Sequence, residues 1–387
     1  MGTELGFWGF RRPDGRVGIR NHVVIISAMD LSNSVVRKIA ALVRGTVPIL
    51  PHFGRLLLGP DAAQHLRTLV GVGVNSNVFG ALVVSLEADS ARRIAERITE
   101  FSKHVQVLDV QGTGGSLGTA MAGARLAGEL MLEASSARRE WCSLKDLVLG
   151  LKCGGTDATS GIAANPAIGV VTDRVIAAGG TVLFSEPSEL MGGEPVMVER
   201  AVSREAADAI VATIGRFEQL AASHGIDVRG TNPTPDNIAG GITTVEEKAF
   251  GSLAKTGTGP IQGVVSYAVR PPNPGLWLVD GSGPAVELMA GFAASGATAM
   301  LFSTGLGNPA GSPIAPTLRV TGCSATAQNA WENIDVDVSG VTMGTEDVPQ
   351  AGDRLFRHLM RVLSGELTKS EVFGDEEFAI SRLSETL

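Results

Sequence analysis

The sequence predicts an α/β protein: two parallel-sheet α/β domains packed together, with a site between them at the carboxyl ends of the strands. Three observations carry this. Short continuous apolar runs recur, as in HVVIISA (22–28), GALVVSLE (80–87), LVLGLK (147–152) and TAMLFST (298–304), the pattern of strands buried on both faces. Amphipathic helical stretches alternate with them. Polar, glycine-rich turns follow the strands, the richest being LKCGGTDATSGIAANPAIG, Leu151–Gly169.

In chain order, residues 7–21 (FWGFRRPDGRVGIRN) carry the turn signal Arg12-Pro13-Asp14-Gly15 and four arginines, either a solvated hairpin or an anion-facing arm. The first strand, 22–28, leads to a helix over 34–43 with Ser32 or Asn33 as cap. An extended segment at 47–52 precedes a helix over 61–73 with Asp61 as its cap. Strand 80–87 ends in Glu87. A helix over 88–101, a strand over 104–110 and one long helix over 115–140 complete a first domain, 1–140.

The second domain, 141–387, opens with strand 147–152. The central turn and a helix to Ala178 follow, then strand 181–185 ending in EPSELMGGE (186–194). A helix spans Ser203–His224. Residues 225–242 form a long loop, and TTVEEKAFGSLAKTG (243–257) a helix capped by Thr243 or Thr244, with Glu246 and Glu247 in its first turn. Strands at GVVSYA, GLWLVDG and TAMLFST, a helix at 285–295, the loop GLGNPAGSPIAPT (305–317), strands LRVTG and IDVDVSG, and helices near 350–364 and 369–385 close the chain.

Composition narrows the function. A formal charge of −8 argues against nucleic acid, whose phosphates need a basic surface. Three widely spaced cysteines, Cys142, Cys153 and Cys323, make neither a disulfide framework nor a CxxC metal site. No run approaches a membrane span and no leader is visible, so the expected location is cytoplasmic. GxGxxG and Walker A are absent, so no nucleotide cofactor is expected.

Polar residues cluster at strand ends: Asp30, His52, Glu87, Cys153 with Asp157, Glu186 with Glu189, and Ser303 with Thr304. Carboxylates, an imidazole and a thiolate gathered on one edge could hold a divalent metal. Each also has a structural reading. His52 is either a hydrogen-bonded, partly buried histidine or a ligand, and Arg55 either a surface residue or a clamp for a carboxylate. Glu246-Glu247-Lys248 reads equally as a solvated helix face.

The segments RRPDGRVGIRN, LKCGGTDATSGIAANPAIG, SEPSELMGGE, GGITTVEEKAFG and GNPAGSPIAPT together resemble the large catalytic region of the altronate/galactarate dehydratase family. The resemblance runs along nearly the whole chain. Its members remove a β-substituent from a 2-hydroxy acid, and the family includes the large (beta) subunit of (2R)-sulfolactate sulfo-lyase. The resemblance implies a lyase giving a 2-keto acid, a divalent metal (iron(II) in the dehydratases), a separate small subunit with a SAF-type domain, and a homo- or hetero-oligomer. Three places where the dehydratase pattern carries cysteines hold Asp30 (or Leu31), Arg55 and Leu86 here. PHFGRLLLGPDAAQHLRTLVGVG, the VVSLE strand and EEFAISRLSETL look closer to the sulfo-lyase branch, with pyruvate and bisulfite as products; a sugar-acid hydro-lyase and a non-catalytic scaffold are the alternatives. On this reading His52, Lys248, Asp157 and Glu189 are the catalytic candidates, with Glu194 behind them. Arg55, Lys152, Gly154, Gly155, Thr156 and Asn165 are the substrate-binding ones, and Cys153, His52 and Glu87 the metal set.

Overall fold

The computed structural model describes residues 5–228, 232–281 and 283–384. Its α/β character is as the apolar runs predict, with two parallel sheets. The first half folds around a four-stranded sheet in the order Thr46–Ile49, His22–Ser27, Val78–Ser85, His104–Asp109. Side chains of His22–Ser27 alternate between two cores: Val23 and Ile25 meet helices Asn33–Leu42 and Ser116–Ser135, while Val24 and Ile26 meet Gly59–Gly73 and Ala88–Thr99. Burial on both faces is why this strand reads as an unbroken apolar run.

The second half builds a seven-stranded parallel sheet in the order Ile261–Ser266, Gly275–Asp280, Thr181–Phe184, Val148–Cys153, Ala299–Ser303, Thr317–Thr321, Val336–Asp337. After Gly275–Asp280 the chain crosses to the other side of Val148–Cys153 to lay down Ala299–Ser303, pairing Ser303 with Cys153. The order reverses there, where open α/β sheets leave a crevice at the carboxyl ends of the strands.

Three elements differ from the sequence expectation, one being the loop expected over 225–242, which holds a short helix, Pro235–Ala239. The long helix stops at Ser135, and Glu140–Ser143 is a strand that pairs antiparallel with Gly6–Arg11, itself paired with Val17–Gly18. The expected turn sits between the last two, where Gly15 N donates to Arg12 O at 2.9 Å. At the other end the helix spans only Lys369–Phe373. The tail beyond it runs extended onto the first half: Gln64 Nε2 donates to Ser381 O at 2.7 Å, and the Asp61 carboxylate accepts Leu383 N at 2.7 Å and Ser384 N at 2.9 Å. Asp61 therefore anchors the tail rather than capping its own helix, which begins at Gly59.

One apolar core is common to both sheets. Val24, Ile26 and Val83 from the small sheet and Leu183, Val279 and Met300 from the large one belong to it, with Leu69 and Val72 facing Leu288, Met289 and Phe292. Helices Gly59–Gly73 and Ala285–Ala294 meet so closely that a Cβ on Gly71 would lie 2.4 Å from the Ala294 carbonyl oxygen. Gly71→Ala is expected to lower the unfolding free energy by about 1–3 kcal/mol through overpacking. A denaturant midpoint that falls at unchanged slope is the check. No helix among the described residues is long and apolar enough to cross a membrane.

Candidate functional site

The site grows from the end of strand Val148–Cys153. Adjacent residues on a strand point to opposite faces, yet Lys152 and Cys153 both converge on Glu186, just past the end of Thr181–Phe184. Glu186 manages this with left-handed backbone (φ 77°, ψ 52°), which for a non-glycine residue costs about 1–3 kcal/mol and persists only where the surroundings enforce it. One carboxylate oxygen takes Lys152 Nζ. The other lies 3.1 Å from Lys255 Nζ, 3.3 Å from Cys153 N and 3.3 Å from Cys153 Sγ. Lys152, Cys153, Glu186 and Lys255 are all buried.

A second layer comes from helix Val245–Leu253 and the 3₁₀ turn after it. Lys255 Nζ reaches Cys153 Sγ at 3.1 Å and Ser252 Oγ at 2.5 Å. Lys248 Nζ donates to Asn232 Oδ1 at 3.0 Å and Asn237 Oδ1 at 2.9 Å, and lies 3.6 Å from Glu189 Oε1. The helix starts at the expected cap, where Glu247 N donates to Thr244 Oγ1. Asn237 Nδ2 in turn donates to Thr156 O, tying Lys248 to the central turn.

Electrostatics set the protonation states. Burial pushes the Cys153 thiol up to about 11, helped by Glu186. Burial alone would also raise Glu186, but Lys152 and Lys255 outweigh it and hold the carboxyl below its ordinary value. Burial would lower both lysines; Glu186 beside Lys152, and Cys153 with Glu186 beside Lys255, reverse this and hold both ammonium groups above the usual lysine range. Glu186 is thus an ionised carboxylate locked between two cations, whereas Glu189 keeps a side chain 21% exposed.

Cys153 Sγ and carboxylate oxygens of Glu186 and Glu189 all lie within 4.8 Å of one another. One soft and two hard donors at that spacing are compatible with a divalent cation. The expected set of Cys153 with His52 and Glu87 is not assembled; among the described residues the trio with Glu186 and Glu189 is the one group of three or more such side chains. Glu87 instead caps its own helix, accepting Asp89 N at 2.8 Å and Ser90 N at 3.2 Å. His52 and Arg55 are exposed and line a cavity of about 1010 Å³ with Asp30, Glu287 and Arg382, where the carboxyl edge of the small sheet meets the second half. That cavity approaches the buried cluster through one segment: Lys152 Nζ donates to Gly283 O at 2.8 Å, four residues before Glu287.

The remaining candidates shape the turn. Asp157 Oδ1 accepts Ser160 N, Ser160 Oγ and Thr159 Oγ1 at 2.8–2.9 Å, opening the π-helical turn Ser160–Ala164. A Cβ on Gly305 would strike its carboxylate at 2.1–2.6 Å, so Asp157 is packed in place. Gly155 has φ 62°, and its carbonyl accepts Gly305 N and Leu306 N. Gly154 lies against the Phe302 ring, 3.2 Å from where its Cβ would be. Asn165 braces the floor, donating to Gly251 O and accepting Ser303 Oγ at 2.5 Å. Thr156, Asp157 and Lys248 line a cavity of about 410 Å³. Glu194 accepts Gly192 N.

Lys255 and Ser252 carry no role in the sequence reading, and Glu186 appears there only beside Glu189. The signal for the first two was present: positions 248, 252 and 255 share one face of a helix already predicted over 243–257.

Two family profiles match the chain: "D-galactarate/Altronate dehydratase, C-terminal" over residues 144–386 and "D-galactarate dehydratase/Altronate hydrolase, second domain" over 9–135. The (2R)-sulfolactate sulfo-lyase subunit beta of Chromohalobacter salexigens is 38% identical over 383 residues, 98% of each chain. The altronate dehydratase of Bacillus subtilis is 33% identical over 398 residues, covering 98% of this chain and 78% of that one. The galactarate dehydratase (L-threo-forming) of Escherichia coli is 28% identical over 397 residues, covering 96% and 74%. On these matches the protein belongs to the galactarate/altronate dehydratase family.

Proposed function

We propose that this chain is the large subunit of a lyase that removes a β-substituent from a small anionic 2-hydroxy acid to leave a 2-keto acid, with (2R)-sulfolactate as substrate and pyruvate and bisulfite as products. The observation that carries the reading is the buried cluster at the carboxyl end of strand Val148–Cys153. There three lysines face two carboxylates and a thiol, leaving an excess of positive charge for an anionic substrate. The likeness over 98% of both chains to a protein named as a sulfo-lyase subunit supports the choice of leaving group. That relative's name, subunit beta, supports a partner subunit, for which a small chain with a SAF-type domain is the expectation.

The residues divide the work. Glu186 is held by two ammonium groups and is a fixed counter-charge rather than a base. Glu189 is the freer carboxylate, and its oxygen beside Lys248 is the one proposed to take the α-proton, the other lying toward Cys153. Lys152 and Lys255 set a positive field in which the substrate carboxylate and the departing oxyanion are both stabilised. The electron pair of the broken C–H bond forms the C=C of an enol as the β-carbon–sulfur bond breaks. The enol then takes a proton at the β-carbon to give the keto acid. Cys153, Glu186 and Glu189 would hold a divalent metal, with iron(II) the expected identity, and such an ion supplies Lewis-acid polarisation of the substrate's oxygens. Thiolate ligation fits that picture, because a metal lowers a thiol that burial, helped by Glu186, keeps protonated.

The test is an assay of sulfite and 2-keto acid release over a panel of 2-hydroxy acids, with a small partner subunit added. Stoichiometric sulfite and pyruvate from sulfolactate are expected. Keto-acid formation from altronate or galactarate without sulfite release from sulfolactate would replace this reading with the hydro-lyase one, which the 33% identity to an altronate dehydratase keeps in view.

A further inference from the structure

The arginine-rich arm at residues 11–20 is mostly absorbed by pairing. Arg11 meets Glu140, Arg20 meets Glu371, and Arg16 meets Asp14. Arg12 differs. It is buried, and its guanidinium donates to Ser76 O, Arg20 O and Asn21 Oδ1. Beside it Lys103 is also buried and donates to Asn75 O and Val78 O. Neither forms an ion pair with a carboxylate among the described residues. Burying a cation without a counter-charge is unfavourable, and carbonyl dipoles offset it only in part.

These two cations lie next to further positive charge. Arg12 and Arg16 both act on Lys103, and Arg16 acts on Arg270. Asp14 is the carboxylate that offsets each of Arg12, Lys103 and Arg270, and it is already held by Arg16 Nε at 2.7 Å. Arg16 and Arg270 open with Lys145 into a cavity of about 340 Å³ that Asp14, Asp146 and Asn273 also line. Asp146 is drawn to Arg11 at 3.7 Å. Arg270 and Lys145 make no side-chain hydrogen bond or ion pair among the described residues. Val148 and Thr181 floor the cavity, placing it at the amino edge of the seven-stranded sheet, opposite the edge that carries Cys153.

We propose that this cavity is a second, non-catalytic anion site that takes a small doubly charged oxyanion of the phosphate or sulfate kind between Arg270, Lys145 and Arg16. The anion adds negative charge in a region where Asp14 alone offsets Arg12, Lys103 and Arg270. It also ties the arm at 12–16 to the start of the seven-stranded sheet and to the Pro271–Pro274 segment, so its binding stabilises the fold.

The experiment is thermal unfolding and titration calorimetry of the full chain with sulfate, and separately with phosphate, against chloride at matched ionic strength. A saturable rise in Tm specific to the oxyanions is expected. Arg270→Gln and Lys145→Gln, both exposed, should each weaken the apparent affinity roughly tenfold or more, the effect of losing one charge-assisted contact, with turnover unchanged. Equal response to sulfate and phosphate marks a site for the oxyanion charge itself; preference for one identifies the ligand class. No saturable rise over chloride, or a rise undiminished in both variants, overturns the site.

Discussion

Glu186→Gln is expected to cut turnover by roughly 10²–10³-fold and to lower the unfolding free energy by about 3–5 kcal/mol. The side chain keeps its shape, so the loss isolates its charge. Without that charge Lys152 and Lys255 face each other across a neutral amide in a buried site; Lys152 loses the main group that holds its ammonium above the ordinary range, and Lys255 keeps Cys153 but loses Glu186. Glu189→Gln is the companion. Its side chain is partly exposed and pairs with Lys248 at 3.6 Å, so stability should change little while turnover falls by a similar factor. Steady-state kinetics beside denaturant titration of both variants is the measurement. Equal stability losses in the two would remove the distinction between counter-charge and base.

Cys153→Ala is expected to abolish retention of a divalent metal and, with it, turnover. Sγ is the soft member of the donor trio and is fully buried, so no solvent-borne ligand replaces it. The readout need not be activity. Cobalt(II) added to the unmodified protein should show a sulfur-to-metal charge-transfer band, and the variant should lack it. Full activity of the variant with metal still bound would remove Cys153 from the site. A stable, metal-free variant would separate its chemical role from packing, since it loses only a buried sulfur beside Lys255 and Ser252.

The central strands of both sheets were legible because burial on both faces writes an apolar run into the sequence. The pairing of Gly6–Arg11 with Glu140–Ser143 was not: it joins segments some 130 positions apart, and the second strand is four residues long with two of them exposed. The tail misled for a related reason. Phe378 and Ile380 are both buried in the common core, two positions apart, which is extended spacing within a stretch otherwise rich in helix-forming residues. In the site, Lys152, Cys153, Glu189 and Lys248 come together around the turn, as one sheet edge requires. His52 and Glu87 do not join them, because they follow strands of the other sheet. The rule that strand ends share an edge holds within a sheet and says nothing across two.

The apolar core common to both sheets has a bearing on how a substrate enters. A hinge rotation of one half against the other would have to expose Leu69, Val72, Leu288 and Phe292 to water and part a helix contact built around Gly71. Each such side chain carries about 1.5–3 kcal/mol of burial, so clamshell breathing is far too steep a climb for a catalytic cycle. The two halves therefore stay fixed against each other through a turnover and should melt as one cooperative unit.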